Sequence, residues 1–311
     1  MNKSCKIVIY HYVRPIKNSK YPEIKGLELD GFIRQMDFFK QNFTFITAKQ
    51  LLSCIYNGET IPENAILLTF DDGLKDHYLH VFPILQKFNV QGLFFPIAET
   101  IESNKVIDVH KIHFILASCE HKNDIVDNIF TLIRTNKDKY QLDSPESYFK
   151  SLAIPNRFDT KEIIFIKRIL QRALPRELRA QIVDYLFKKF VTEDEKSFSE
   201  ELYLSYDDIK NMQNAGMYFG SHGYSHEWLT YLNDSDLNIE LKKMLEFNLR
   251  INKNNDDMIM CYPYGNNDDN LIKKLRIHGY KGGLTTDVGD SILDVSNAFL
   301  LKRYDTNDFP Q

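Results

Sequence analysis

The sequence is short of several things, and each shortage excludes a class of protein. No window among the 311 residues approaches the roughly 20 consecutive apolar residues of a membrane span. There is no excess of positive charge: 39 Lys and Arg stand against 43 Asp and Glu, a net charge of -4. The chain as a whole therefore has no field that attracts nucleic acid or anionic lipid. The four cysteines, Cys5, Cys54, Cys119 and Cys261, are far apart and form no C-x-x-C pair. That spacing fits reduced thiols better than a disulfide framework. After Met1 to Lys6 only a short apolar run follows, Ile7 to Tyr10, and a secretory leader needs a stretch of roughly 7–15 such residues. These features predict a cytoplasmic protein with no membrane span and no nucleic acid partner. Repeats, low-complexity tracts and long linkers are also missing.

There is a single Trp, against 22 Phe and 17 Tyr. Most of those rings are expected in the core, because a large ring buries much apolar area. A minority could stack on a sugar face. At 43% hydrophobic and 26% charged residues, the chain is long enough for one large α/β domain or two smaller ones.

Periodicity organises the rest. Residues 6–13 (KIVIYHYV) are β-branched and aromatic and predict a strand. Asp30 is expected to cap a helix over 31–43, and Thr47 one over 48–56 that Gly58 stops. Residues 65–70 (AILLTF) form an unbroken apolar run, the mark of a strand buried on both faces in a parallel sheet. A helix over 77–88 and a strand over 91–98 follow, and this alternation argues for a parallel sheet or barrel. From 99 to 201 the rhythm changes to helical spacing rich in charge, as in 162–174 and 178–190. That region is read as a mostly helical insertion between two barrel strands. Ser205 and Asp208 form a capping box for a helix over 206–215, and strands at 217–221, 258–262, 282–286 and 299–304 alternate with helices at 235–252 and 269–278.

Three segments with chemical potential each leave a predicted strand. In Thr69-Phe70-Asp71-Asp72-Gly73, two adjacent carboxylates point different ways, so one can hold a cation while the other stays near its water. The segment Ser221-His222-Gly223-Tyr224-Ser225-His226 carries two histidines about one helical turn apart, which can converge on a metal. In Cys261-Tyr262-Pro263-Tyr264-Gly265, Pro and Gly bracket a turn able to expose a backbone N–H. Each alone has an ordinary explanation as a charged turn, a surface histidine pair or a loop. One Asp and two His, however, make a facial ligand set with open positions, suited to zinc or a similar first-row ion. Three turns at the carboxyl ends of strands are also where an α/β barrel collects its active site.

In this order along the chain the three segments resemble the NodB-homology polysaccharide deacetylases, over residues 6–98 and 202–305. The resemblance implies a distorted (β/α) barrel of about seven strands, formed by 1–98 and 202–311, with 99–201 as the insertion. It implies a divalent metal, zinc first with cobalt, nickel or manganese possible, held by Asp72, His222 and His226. It also implies Asp71 as general base and the Tyr264 backbone N–H as an oxyanion donor. The expected reaction is hydrolysis of an N-acetyl group from an amino sugar or sugar-containing precursor. With no export signal in view, a nucleotide- or lipid-linked precursor of a surface glycan is expected rather than finished cell-wall polymer.

The family's usual Arg, two residues ahead of the Pro, is replaced here by Cys261, and no histidine follows His278 to act as the customary C-terminal acid. His11, in Ile9-Tyr10-His11-Tyr12-Val13, resembles the N-terminal acid histidine of the branch acting on poly-N-acetylglucosamine. Arg303 is the candidate for the missing guanidinium. His110 and His113 read as a helix face rather than a second metal site, and His77, His80, His121 and His278 have no evident partner. Two other functions fit these residues. An amidase of related fold would act on a non-carbohydrate amide or formamide. A catalytically silent, metal-containing carbohydrate-binding protein would explain the loss of the Arg, though it would have no need of two carboxylates.

Overall fold

The computed structural model describes residues 3–155, 159–252 and 257–311. Residues 156–158 of the expected insertion and 253–256 of the expected barrel lie outside the described residues. The chain forms two compact units, one of Met1–Pro15, Gly26–Asn104 and Glu200–Gln311, the other of Ile16–Lys25 and Lys105–Ser199.

The first unit is built on parallel strands. Ala65–Asp72 is buried at every position, as its unbroken apolar run requires. It lies between Ser4–Tyr10 and Gly92–Pro96, parallel to both, and Tyr218–Phe219 continues the order. Single parallel bridges from Ser221 to Met260 and from Leu284 to Leu301 carry the series through Ile259–Cys261 and Gly282–Leu284, themselves a parallel pair. Tyr304–Asp305 then pairs parallel with Ser4–Tyr10 and returns to the start. The parallel segments thus follow one another in chain order around a closed circuit, an α/β barrel distorted where single bridges replace ladders. Ser291–Ile292 is an antiparallel addition to the first strand.

Alternation along the strands divides their side chains between two apolar cores. Val8, Tyr10, Ile66, Leu68, Phe70 and Phe94 share one, and Ile7, Leu67, Leu93 and Phe95 the other. Within the former, four rings stack across four neighbouring strands. Tyr10 lies 5.1 Å from Phe70, Phe70 4.9 Å from Phe94, and Phe94 5.4 Å from Phe219, each pair in register. Each such pair contributes about 0.5–1.5 kcal/mol beyond its area. The ladder fixes the strands relative to one another one residue before Asp71 leaves the core. Truncating its centre, Phe70→Ala, would cost about 3–5 kcal/mol.

Two local expectations are corrected here. The first strand stops at Tyr10 rather than running to 13. The backbone changes partners there: His77 Nε2 bonds the His11 carbonyl, the Tyr12 carbonyl accepts from Leu27 N, and Val13–Arg14 pairs with Leu27–Glu28. The same short pairing delivers the chain into the next helix at Leu29, so Glu28, not Asp30, is the N-cap residue. Asp30 falls in the first turn, where its charge favours the positive end of the helix dipole. Thr47 and Ser205 do form reciprocal capping boxes.

The second unit is helical. Asp108–Ser118 and Arg176–Phe190 supply Ile112, Phe114, Ile115, Ile182, Val183, Leu186 and Phe187 to its interior. Lys111 is buried among them and is neutralised by Asp184 at 2.5 Å and Glu195 at 2.9 Å. Ile16–Lys25 groups with these helices, and Tyr21 meets Phe114 edge-on at 4.9 Å.

Candidate active site

Strand Ala65–Asp72 ends in a change of backbone hand. Asp72 has φ 73° and Gly73 φ 67°. A Cβ on Gly73 would lie 2.7 Å from Pro96 Cβ and 2.8 Å from Pro96 Cα, so only glycine fits beside the neighbouring strand. The reversal sends the two carboxylates to different partners.

Asp71 turns to the last barrel segment. Its Oδ1 accepts from Arg303 Nη1 at 2.9 Å, and its Oδ2 accepts from the Cys261 thiol at 3.2 Å. Arg303 is only 1% exposed. Its Nε donates to the Thr285 carbonyl at 2.8 Å, and Nη1 also reaches Thr69 Oγ1 at 3.3 Å. Burial alone would raise the Asp71 pKa, but the Arg303 guanidinium, with His222 and His11, outweighs it and holds the carboxyl below its usual range. Burial pushes the Cys261 thiol up, so it stays protonated and can donate. Asp71 is thus held at both oxygens. The thiol supplies a weak bond and Arg303 the strong one.

Asp72 turns to the histidines. Its Oδ1 lies 3.3 Å from His222 Nε2 and 3.7 Å from His226 Nε2. Ligand bonds of about 2.0–2.1 Å at tetrahedral angles put neighbouring donors about 3.3 Å apart, so Asp72 stands at that spacing from His222 and a little beyond it from His226. His222 Nδ1 donates to the Cys261 carbonyl at 2.8 Å, which turns Nε2 toward Asp72. Burial opposes a charge on His222. The Asp72 and Asp71 carboxylates prevail and hold its pKa well above the ordinary value, so an ion binding at Nε2 would displace a proton there. Asp72, His222 and His226 can hold a metal ion, and Asp71, His222 and Cys261 form an overlapping group. Among the described residues no such group includes His110 or His113, whose rings lie 5.9 Å apart on Asp108–Ser118.

The two histidines sit beyond strand Tyr218–Phe219, in a segment that leaves a strand as expected. They flank a loop, and His226 has φ 59°. Glu240, buried on helix Asp234–Ile251, grips that loop: Oε1 accepts from Tyr224 N at 2.9 Å, Ser225 N at 2.7 Å and Ser225 Oγ at 3.0 Å. On the other side the Glu99 N–H donates to the Tyr224 carbonyl at 2.8 Å. The sequence carries no clear sign of Glu240, since it is a charge between Ile239 and Leu241 on an otherwise ordinary amphipathic helix.

Tyr264 lies on the Pro263–Gly265 turn with φ 58°, its ring 4.6 Å from that of His226. Trp228 stacks on the same tyrosine at 4.4 Å. His11 lies just beyond the first strand and is exposed, rather than a buried strand residue. Its carbonyl accepts from His77 Nε2 at 2.9 Å, so the histidine that lacked an evident partner has one. A carbonyl can only accept, so this bond places the His77 proton on Nε2. Burial lowers the His77 pKa and keeps the ring neutral.

Comparison with known proteins agrees with this picture. A family model described as polysaccharide deacetylase matches residues 58–129 and 178–283. A poly-beta-1,6-N-acetyl-D-glucosamine N-deacetylase of Escherichia coli strain K12 is 34% identical over 58 residues, which make up 19% of this chain and only 9% of that protein. Among solved structures, the deacetylase PplD of Streptococcus pyogenes in complex with acetate superposes with a TM-score of 0.60 at 15% identity, covering 97% of this chain and 92% of the other. IcaB from Ammonifex degensii gives a TM-score of 0.55 at 16% identity over 97% and 91%. At these identities the structural likeness establishes the fold.

Proposed function

The chain belongs to the polysaccharide deacetylase family, and we propose that it hydrolyses the N-acetyl group of an amino sugar to a free amine and acetate. The observation that carries this reading is the division of labour between adjacent carboxylates. Asp71 is clamped by Arg303 at 2.9 Å, while Asp72 stands 3.3 Å from His222 and 3.7 Å from His226. A charged turn would have no reason to bury both, one against a guanidinium and one against two imidazoles.

An amide is a poor electrophile with a poor leaving group, so the reaction needs help at several points. A divalent ion held by Asp72, His222 and His226, zinc foremost, would polarise the acetyl carbonyl and make water acidic enough to attack. Asp71 accepts that proton. Arg303 keeps it ionised and oriented through Oδ1, and Oδ2 gives up only a weak thiol bond to do so. The backbone N–H of Tyr264 supports the oxyanion of the tetrahedral intermediate. His11 protonates the departing nitrogen, with its backbone held by His77. Arg303 beside Asp71 takes away the support that Cys261 lent to a silent binding protein.

The 58-residue match to a poly-β-1,6-N-acetylglucosamine deacetylase supports an N-acetylglucosamine chain as substrate over a nucleotide-linked precursor. Acetate release should be measured from a β-1,6-linked N-acetylglucosamine tetramer, a nucleotide-linked N-acetylglucosamine and a panel of simple amides and formamides. Each is assayed with zinc, cobalt, nickel or manganese. Acetate from the tetramer, lost in Asp71→Asn, is the expected result. Turnover of simple amides alone would replace sugar deacetylation with amidase activity.

A further inference from the structure

The aromatic residues beside the metal ligands form an ordered series. From His226 the rings run to Tyr264 at 4.6 Å, then to Trp228 at 4.4 Å with planes 6° apart, then to Tyr231 at 5.6 Å with planes 17° apart. The far end of the series, Tyr231, is 62% exposed. We infer that Tyr264, Trp228 and Tyr231 form a stacking platform in which the first two back the outer face of Tyr231, and that this face packs on a pyranose ring of an acetylated sugar chain, beside the unit whose N-acetyl group reaches His222 and His226. This rests on the sugar-deacetylase reading above and adds to it the residues that hold the sugar chain.

Three observations set this stack apart from casual surface aromatics. First, it is built rigidly. Asn266 Oδ1 accepts from Thr230 N at 3.0 Å and from Thr230 Oγ1 at 2.7 Å, tying the turn that bears Trp228 and Tyr231 to the one that bears Tyr264. The Tyr231 N–H closes its own turn on the Trp228 carbonyl at 2.9 Å. Second, Tyr264 holds φ 58°, a left-handed conformation that costs a bulky side chain free energy and persists where the surroundings impose it. Third, the series begins at a candidate metal ligand and ends in solvent. Other exposed apolar residues such as Ile277 and Val288 belong to no such series.

The chemistry of the occupant follows from the rings. A pyranose offers a face of C–H groups with its hydroxyls around the edge. An aromatic face covers the former and leaves the latter in water, and a tyrosine adds a polar tip of its own. A planar stack without charged groups in it suits a neutral sugar better than a phosphate.

The single Trp makes the test direct, because intrinsic fluorescence reports Trp228 alone. The full-length, metal-free protein is titrated with a β-1,6-linked N-acetylglucosamine tetramer and with the monosaccharide. A saturable change in Trp emission with the tetramer, weaker with the monosaccharide, is expected. Tyr231→Ala, at an exposed position that spares the fold, should weaken tetramer binding roughly two- to tenfold, the range of one aromatic contact. Tyr231→Phe, which keeps the ring, should restore it. In the metal-loaded enzyme the same loss should fall on KM for the tetramer rather than on kcat. Emission that the tetramer leaves unmoved, or tetramer affinity equal in Tyr231→Ala and wild type, overturns the platform. So does emission that responds only to protein concentration, which would give the stack to a second copy of the chain. Saturable binding without acetate release upholds the platform and defeats the hydrolysis instead.

Discussion

Arg303 Nη1 lies 2.9 Å from Asp71 Oδ1, a contact that closes 232 residues of chain and joins the last barrel segment to the central strand. Both side chains are buried, so neither charge is tolerable without the other. The pair therefore serves folding and chemistry together. It also explains how position 261 can carry a thiol: the guanidinium reaches Asp71 from another strand.

Arg303→Met should move the acid limb of the kcat/KM profile to higher pH. The Asp71 pKa is held below the usual carboxylate range, and removing the guanidinium leaves burial to raise it. The sign for stability follows from the same depression. Wild type gains from this pair above pH about 4 and loses the gain as pH falls through the folded pKa. Uncompensated burial of Asp71 should cost about 3–5 kcal/mol near neutrality, read as the denaturant midpoint at constant m. Arg303→Lys, which keeps a charge but loses the planar fork, should fall between the two. An acid limb that stays in place in both variants would remove Arg303 from the control of Asp71.

His226→Ala should abolish stoichiometric metal binding and lower turnover more than about a hundredfold, beyond the 10–100-fold loss typical of outer partners. Metal content after dialysis and kcat are the two readouts. Full metal content with full activity would sink the ligand assignment.

Glu240→Gln should loosen the loop without touching a ligand. A neutral amide oxygen accepts less strongly than a carboxylate, and here one carboxylate serves two backbone N–H groups and a hydroxyl. Metal affinity is expected to fall about 10–100-fold, with larger loss in Glu240→Ala and an unchanged far-ultraviolet spectrum in both. Calorimetric titration of zinc into the metal-free proteins measures it. Equal affinities would make Glu240 a feature of folding only.

Much of this site was legible in the sequence, for identifiable reasons. The run before Asp71 is apolar without alternation, which few structures other than a doubly covered strand explain, and the capping boxes at Thr47 and Ser205 are local chemistry. What stayed hidden depends on contacts between distant segments. The first strand ends where His77 captures the His11 carbonyl, and nothing within residues 6–13 marks that point. Glu240 grips the histidine loop from a helix whose spacing looks ordinary. Trp228 takes its place in the ring series only when the Tyr264 turn comes alongside. The left-handed residues and backbone clamps that bring the histidine pair together have no mark in its spacing.

Hydrolysis of the amide requires that a proton reach the leaving nitrogen. His11 is exposed just beyond the first strand. Its charge is among the groups that lower the Asp71 pKa, so the two share one electrostatic neighbourhood. His11→Ala should keep full metal content yet lose about 10²–10⁴-fold in kcat, the usual weight of a general acid. The basic limb of the pH–rate profile should disappear with it, because that limb reports loss of the acid's proton. His77→Leu tests the support separately. It removes the bond to the His11 carbonyl while leaving the His11 ring, so a smaller fall in kcat with the basic limb retained is expected. His77→Gln, which can still donate to that carbonyl, should recover part of the loss. A basic limb that persists in His11→Ala at near-normal rate would assign the proton to water or another group and free His77 of any part in catalysis.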